Sequence, residues 1–212
     1  MRDPASRFRE LSLALFGLIA EERRAGLSSP LLSAAVGSAR AREGRSFIVE
    51  GLALHAASLS ALRLLLVDAH MANPELTNRH GGKDFPGLAD VLRGTAEMPE
   101  LLPMAAPNLR LIGAGRAPQS ALLYQDGKLR QFLAWAAARA DCVLFDMPPF
   151  DAEAGPVAAV VDRVLLVVDS SQTPRAVARA AISGLPKGKA WGVVLNKCPR
   201  YGPAALSAGA GY

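Results

Sequence analysis

Several stretches of this chain combine residue types that handle phosphate and hard cations. The first is Ser38–Phe47, SARAREGRSF, where Gly44, Arg45 and Ser46 stand directly ahead of the apolar run FIVEGLALHAA. Backbone N–H groups at a helix start attract anions, a basic side chain adds countercharge, and a hydroxyl can ligate a hard divalent cation. The others are polar residues that close short apolar runs: Asp68 after LRLLLV, Asp146 after CVLF, Asp169 after VLLVV and Asn196 after WGVVL. A carboxylate so placed can hold a cation or serve a nucleophile, and it can equally be a turn or helix cap.

The elements that must position these groups are legible in the same runs. Leu31–Val36, Leu62–Val67, Leu109–Ile112, Cys142–Phe145, Val164–Val168 and Trp191–Leu195 are predicted strands. Several lack polar alternation, which predicts burial on both faces. Ser46–Leu59, Leu122–Ala140 and Pro174–Ser183 are predicted helices. Strands alternating with helices predict an α/β fold: a doubly wound, mostly parallel sheet with helices on both faces. Ligands of such sheets bind beyond the carboxyl ends of the strands, the edge on which Asp68, Asp146, Asp169 and Asn196 fall.

Length allows one α/β domain with a full core: 212 residues, half of them hydrophobic. We expect an N-terminal helical segment at 1–30, a single domain at 31–198 and a flexible tail at 199–212. The net charge of +5 invites a nucleic-acid reading, but no run of basic residues occurs and no aromatics interleave the arginines as stacking platforms. Nucleic acid is therefore not an expected partner. Cys142 and Cys198 stand at no metal-ligand spacing and fit a reduced compartment. No secretory signal is expected, and Leu11–Ala20 is far shorter than the ~20 apolar residues of a spanning helix. It is expected to pack on the domain or a partner, with the chain cytoplasmic.

Taken in order, the motifs resemble the cytoplasmic domain of bacterial tyrosine kinases that control capsule and exopolysaccharide synthesis, within the MinD/ParA-like P-loop ATPases. SARAREGRSFIVEGLALHAA resembles their Walker A loop and first helix, and LLLVDAHMANPEL their second acidic motif. FPGLADVLRG is similar to a family phrase, DCVLFDMPP resembles Walker B, and VDRVLLVVDSSQTP with GVVLNK resembles the last two strands. The resemblance implies a P-loop NTPase-like fold. It implies Gly44, Arg45, Ser46 and Phe47 at the nucleotide, Ser46 and Asp146 on Mg²⁺, and Asp68 and Asp146 as catalytic carboxylates.

Departures from the pattern fall on the phosphate- and metal-handling positions. Arg45 stands in place of the lysine, and a forked guanidinium does not reproduce a compact ammonium in a tight loop. Ala39 and Arg42 replace loop glycines that serve close backbone approach and unusual dihedrals. His70 replaces the second aspartate of the acidic motif, a poor exchange for a hard cation. Met147 follows Asp146 where a hydroxyl is usual. Two local readings of the arginines stand open: salt bridges to Glu43 and Glu50 that rigidify the loop, or Arg45 turned into the former phosphate cavity against Asp68 or Asp146.

These departures predict weak ATP and Mg²⁺ binding at most, and a catalytically degenerate accessory protein of polysaccharide synthesis or export. Its expected partner is a membrane polysaccharide co-polymerase, chain-length or export protein, which would hold it at the inner face of the cell membrane. The alternatives are a divergent but active autokinase or ATPase, and a MinD/ParA-like positioning ATPase. A homo-oligomer is an open expectation: of the ring-forming Glu-x-x-Arg-x-x-Arg pattern only Arg9 remains, flanked by Ser6 and Ser12. Tyr201 and Tyr212 do not make the family's tyrosine cluster.

Overall fold

The computed structural model describes residues 4–24, 31–116, 121–124, 127–150 and 154–198. The expected tail at 199–212, with Tyr201 and Tyr212, lies outside the described residues, as does the side chain of Ser6.

Helix α1 (Pro4–Arg24) leads into β1 (Leu32–Ser38), α2 (Arg45–Leu59), β2 (Leu64–Asp68), α3 (Glu75–Arg79) and α4 (Leu88–Arg93). There follow β3 (Leu102–Pro103), β4 (Leu109–Ile112), a 3₁₀ turn (Ala121–Tyr124), α5 (Lys128–Ala137) and β5 (Cys142–Pro149). Then come α6 (Ala154–Val160), β6 (Arg163–Asp169), α7 (Arg175–Ser183) and β7 (Ala190–Asn196). The seven strands pair in the order β3-β4-β2-β5-β1-β6-β7. All pairs are parallel except β3 with β4. This is the doubly wound, mostly parallel sheet that the strand-and-helix alternation predicts, and it agrees with the P-loop NTPase-like fold that the resemblance implies.

Successive residues of a strand point to opposite faces, and here each face is apolar. On β5, Cys142 and Leu144 join the layer under α1 and α2, with Leu15, Ile19, Val49 and Leu52. Val143 and Phe145 join the opposite layer, with Phe132, Ala136 and Val157 of α5 and α6. The run Leu31–Val36, the least strand-like of the six in composition, becomes an interior strand between β5 and β6. The apolar run Leu11–Ala20 belongs to α1 and packs on the domain, where Leu15 and Ile19 are buried. Gly51 admits that helix, since a Cβ there would stand 2.2 Å from Cζ of Phe8. Among the described residues, no helix is long and apolar enough to cross a membrane.

Three expectations need correction. The single helix at Leu122–Ala140 is two elements, because Gly127 takes φ 69° at the start of α5. The strand expected at Trp191–Leu195 is present as β7, but it lies at the sheet edge, so the burial on both faces expected of several runs does not hold for Val193 and Leu195, which are exposed. Elements α3, α4, α6 and β3 were not predicted: they are too short to show a period, and β3 is a two-residue edge strand ending on proline.

Candidate functional site

Strand β1 ends at Ser38, and the chain turns through Ala39–Gly44 into α2. Gly44 takes φ 90°, and a Cβ there would meet Nδ2 of Asn196 at 2.4 Å. Glycine is thus required twice over, by dihedral and by close approach. Arg42 adopts φ 64° with no glycine to ease it, a conformation that costs a side-chain-bearing residue about 1–2 kcal/mol. Contacts from the β6 and β7 ends brace the turn. Lys197 Nζ donates to the Arg42 carbonyl at 2.7 Å and pairs with Asp169 Oδ2 at 2.9 Å. Asn196 Nδ2 donates to the Glu43 carbonyl at 2.8 Å.

Glu43 is the buried centre of this seam. Its carboxylate accepts from Arg40 N at 2.7 Å, from Asp169 N at 3.1 Å and from Thr173 Oγ1. The expectation that Glu43 and Glu50 pair with the loop arginines is therefore overturned. Glu43 turns toward the end of β6, and Glu50 binds Arg79 and His80. Asp169 is pulled down to a pKa of about 2 by Ser171 and Lys197.

The other flank of the loop carries Arg45, buried at 5% exposure. Its guanidinium turns back under the loop toward the sheet. Nε donates to Asp146 Oδ1 at 3.0 Å, Nη1 to Ser38 Oγ at 3.4 Å, and Nη2 to Nδ1 of His70. Arginine has donors only, so in this contact Nδ1 of His70 is the acceptor. Of the two carboxylates considered for Arg45, the one it meets is Asp146.

Asp68 lies directly across from Asp146 in the β2–β5 register. It works as a cap: Oδ2 accepts from Thr77 N at 2.8 Å and Thr77 Oγ1 at 2.7 Å, and Oδ1 from His70 N at 3.3 Å. Burial, and then the nearby Asp146 charge, push the Asp68 pKa up to about 7 against those bonds. Burial raises Asp146 to about 6, with Arg45 and Ser46 opposing. Ser46 is close enough to temper that shift, yet among the described residues no hydrogen-bond partner meets Asp146 Oδ2.

Arg45, Ser46, His70, Asp68 and Asp146 thus converge at one end of the sheet. A cleft of about 420 Å³ opens beside them, lined by Arg42, Gly44, Arg45, Ser46, His70 and Asn73 among others. Phe47 does not join: it is 62% exposed and its ring meets Phe8 at 5.9 Å between centroids. Ala39 packs on the small apolar cluster of Leu166, Val168 and Ala181. Sequence reasoning missed Thr77, Lys197 and the bracing role of Glu43. Only Lys197 left a signal, in the GVVLNK phrase, and a phrase does not say what a lysine reaches.

No protein-family model matches the chain. The chain is 32% identical over 144 residues to the tyrosine-protein kinase Wzc of Salmonella typhimurium, covering 67% of this chain and 19% of that protein. It is 30% identical over 204 residues to the succinoglycan biosynthesis transport protein ExoP of Rhizobium meliloti, covering 91% of this chain and 25% of that protein. The chain therefore spans a quarter or less of the length of these relatives. The kinase domain of Escherichia coli tyrosine kinase ETK superposes with a TM-score of 0.73 at 21% identity, over 85% of this chain and 73% of that one. The septum site-determining protein MinD of Pyrococcus horikoshii, in complex with Mg-ADP, gives 0.61 at 19% identity, over 84% and 76%. At such identities the structural likeness carries the fold.

Proposed function

The chain is a homologue of the Wzc- and ExoP-type bacterial tyrosine kinases, and we propose that it is a catalytically degenerate one, an accessory or regulatory component of exopolysaccharide or capsule synthesis and export. The observation that carries this reading is the placement of Arg45. Phosphoryl transfer depends on positioned positive charge and a metal ion, and here the basic side chain of the loop is already spent on Asp146, Ser38 and His70. A magnesium ion between Ser46 and Asp146 would stand against the guanidinium, with one carboxylate oxygen already taken. The residues present do not suit a Mg-nucleotide.

Without turnover, the protein acts by contact. Its partner on this reading is a membrane polysaccharide co-polymerase, chain-length or export protein, which brings it to the inner face of the membrane. Calorimetry and turnover assays with millimolar MgATP at neutral pH test the reading. The expected result is no heat and no phosphate release; turnover that disappears in Asp146→Asn would sink it. Arg45→Lys alone is expected to restore no ATPase activity, because Ala39, Arg42 and His70 stay altered. One observation favours a second reading, a protein that senses nucleotide weakly without turnover. Ser46 and the unpartnered Asp146 Oδ2 leave two oxygens for a cation, and heat of binding with no phosphate release is its signature.

A further inference from the structure

Met98 lies in the connection between α4 and β3, and it is 53% exposed. Met71 and Met147 are buried and Met104 is half-buried. Two donors converge on the Met98 sulfur. Trp135 Nε1 on α5 lies 3.3 Å from Sδ, and Arg139 Nη2, just past that helix, lies 3.9 Å away. Both donors are held from behind. The indole stacks on the buried Phe132 with centroids 5.6 Å apart. The guanidinium sits 4.6 Å from the indole centroid, and its Nη1 donates to the Trp135 carbonyl at 3.0 Å. A thioether is a weak acceptor for two such donors. An oxygen on that sulfur would be a strong one.

We propose that Met98 is a reversible oxidation site for a peroxide, with Trp135 and Arg139 placed to hold the oxygen of the sulfoxide. A sulfur lone pair attacks one peroxide oxygen, the S–O bond forms and the O–O bond breaks. Sulfur loses two electrons, and the proton on the transferred oxygen passes to the departing hydroxide, which leaves as water. Thiol-dependent sulfoxide reductases reverse the change. Methionine oxidation ordinarily weakens packing by placing a polar group among apolar ones. At this position the new oxygen meets two donors and ties the α4–β3 connection to α5. None of these residues belongs to the phosphate loop or its cleft.

The test treats the whole chain with limiting hydrogen peroxide, maps oxygen gain by peptide mass spectrometry and follows thermal unfolding. Met98 is expected to gain oxygen first, and the wild-type midpoint to rise by about 2 °C, the shift of one good hydrogen bond in a chain of this size. In Trp135→Phe and Arg139→Gln the same oxidation should lower the midpoint instead, and in Met98→Leu peroxide should leave it unmoved. A change on oxidation that is the same in wild type and Arg139→Gln overturns the proposal, as does oxygen gain at Met71, Met104 or Met147 ahead of Met98. If Trp135→Phe fails to fold, the exposed Arg139→Gln comparison decides alone.

Discussion

On its β6 and β7 side the loop from Ala39 to Gly44 is held by a seam of short polar bonds around the buried Glu43, with Asn196 and Lys197. On its β5 and β2 side it is held by one buried guanidinium with three acceptors. The first flank fixes the path of the backbone, and many groups share the work. The second sets the charge at the sheet edge, and a single side chain carries it. Shape and charge are thus separable in this loop, and substitutions on the two flanks should behave differently.

Arg45→Met is the harshest way to break the buried flank. It leaves Asp146 buried without its cationic partner, and removing one partner of a buried pair costs about 3–5 kcal/mol. Urea unfolding at pH 8 should show a loss of that order. The loss should shrink toward pH 5, where Asp146 takes up a proton and no longer needs its partner.

A pH series on the unaltered chain sharpens the same flank. The folded chain keeps a proton on Asp68 that the unfolded chain gives up near pH 4, since its folded value is about 7. This contribution is complete below about pH 4 and is lost as pH rises through about 7. Asp146, raised to about 6, acts in the same sense. Stability should fall between pH 5 and pH 8 by on the order of a few kcal/mol. In Asp68→Asn much of that slope should disappear; an unchanged slope would move its origin elsewhere.

Glu43→Gln probes the opposite flank. The amide oxygen can still accept from Asp169 N and Thr173 Oγ1, which share Oε1, but its NH₂ then faces the Arg40 N–H that Oε2 accepts, so the expected cost is about 1–2 kcal/mol. Smallest of all, Arg42→Gly should stabilise by about 0.5 kcal/mol. It relieves a left-handed side chain at the expense of a looser unfolded chain. A loss of stability on that change would mean that the Arg42 side chain holds the turn by contacts of its own.

The sheet was legible because its strands are continuous apolar runs that end on polar residues, as in CVLFD and VLLVVD. That pattern also placed Asp68, Asp146, Asp169 and Asn196 on one edge before any side chain was located. Arg45 could be aimed at this edge because a loop that precedes a helix of such a sheet opens there. Its second acceptor could not be read, since His70 lies in another motif and spacing says nothing of ring orientation. Glu43 was misjudged for a related reason. Neighbouring charge invites an ion pair with an arginine, whereas the buried carboxylate is satisfied mainly by an amide and a hydroxyl from across the sheet. Gly127 lay in plain view inside a predicted helix, but only its positive φ shows that it starts a new one.

The left-handed Arg42 has a consequence for recognising chains of this kind. Glycine-based signatures assume that the residue at such a turn advertises the turn. Here the bend outlasts the glycine, because Lys197 and Asn196, more than 150 residues further along the chain, grip the carbonyls of Arg42 and Glu43. The dependable fingerprint of this loop is written in two distant places at once, and a scan confined to the loop reads only half of it.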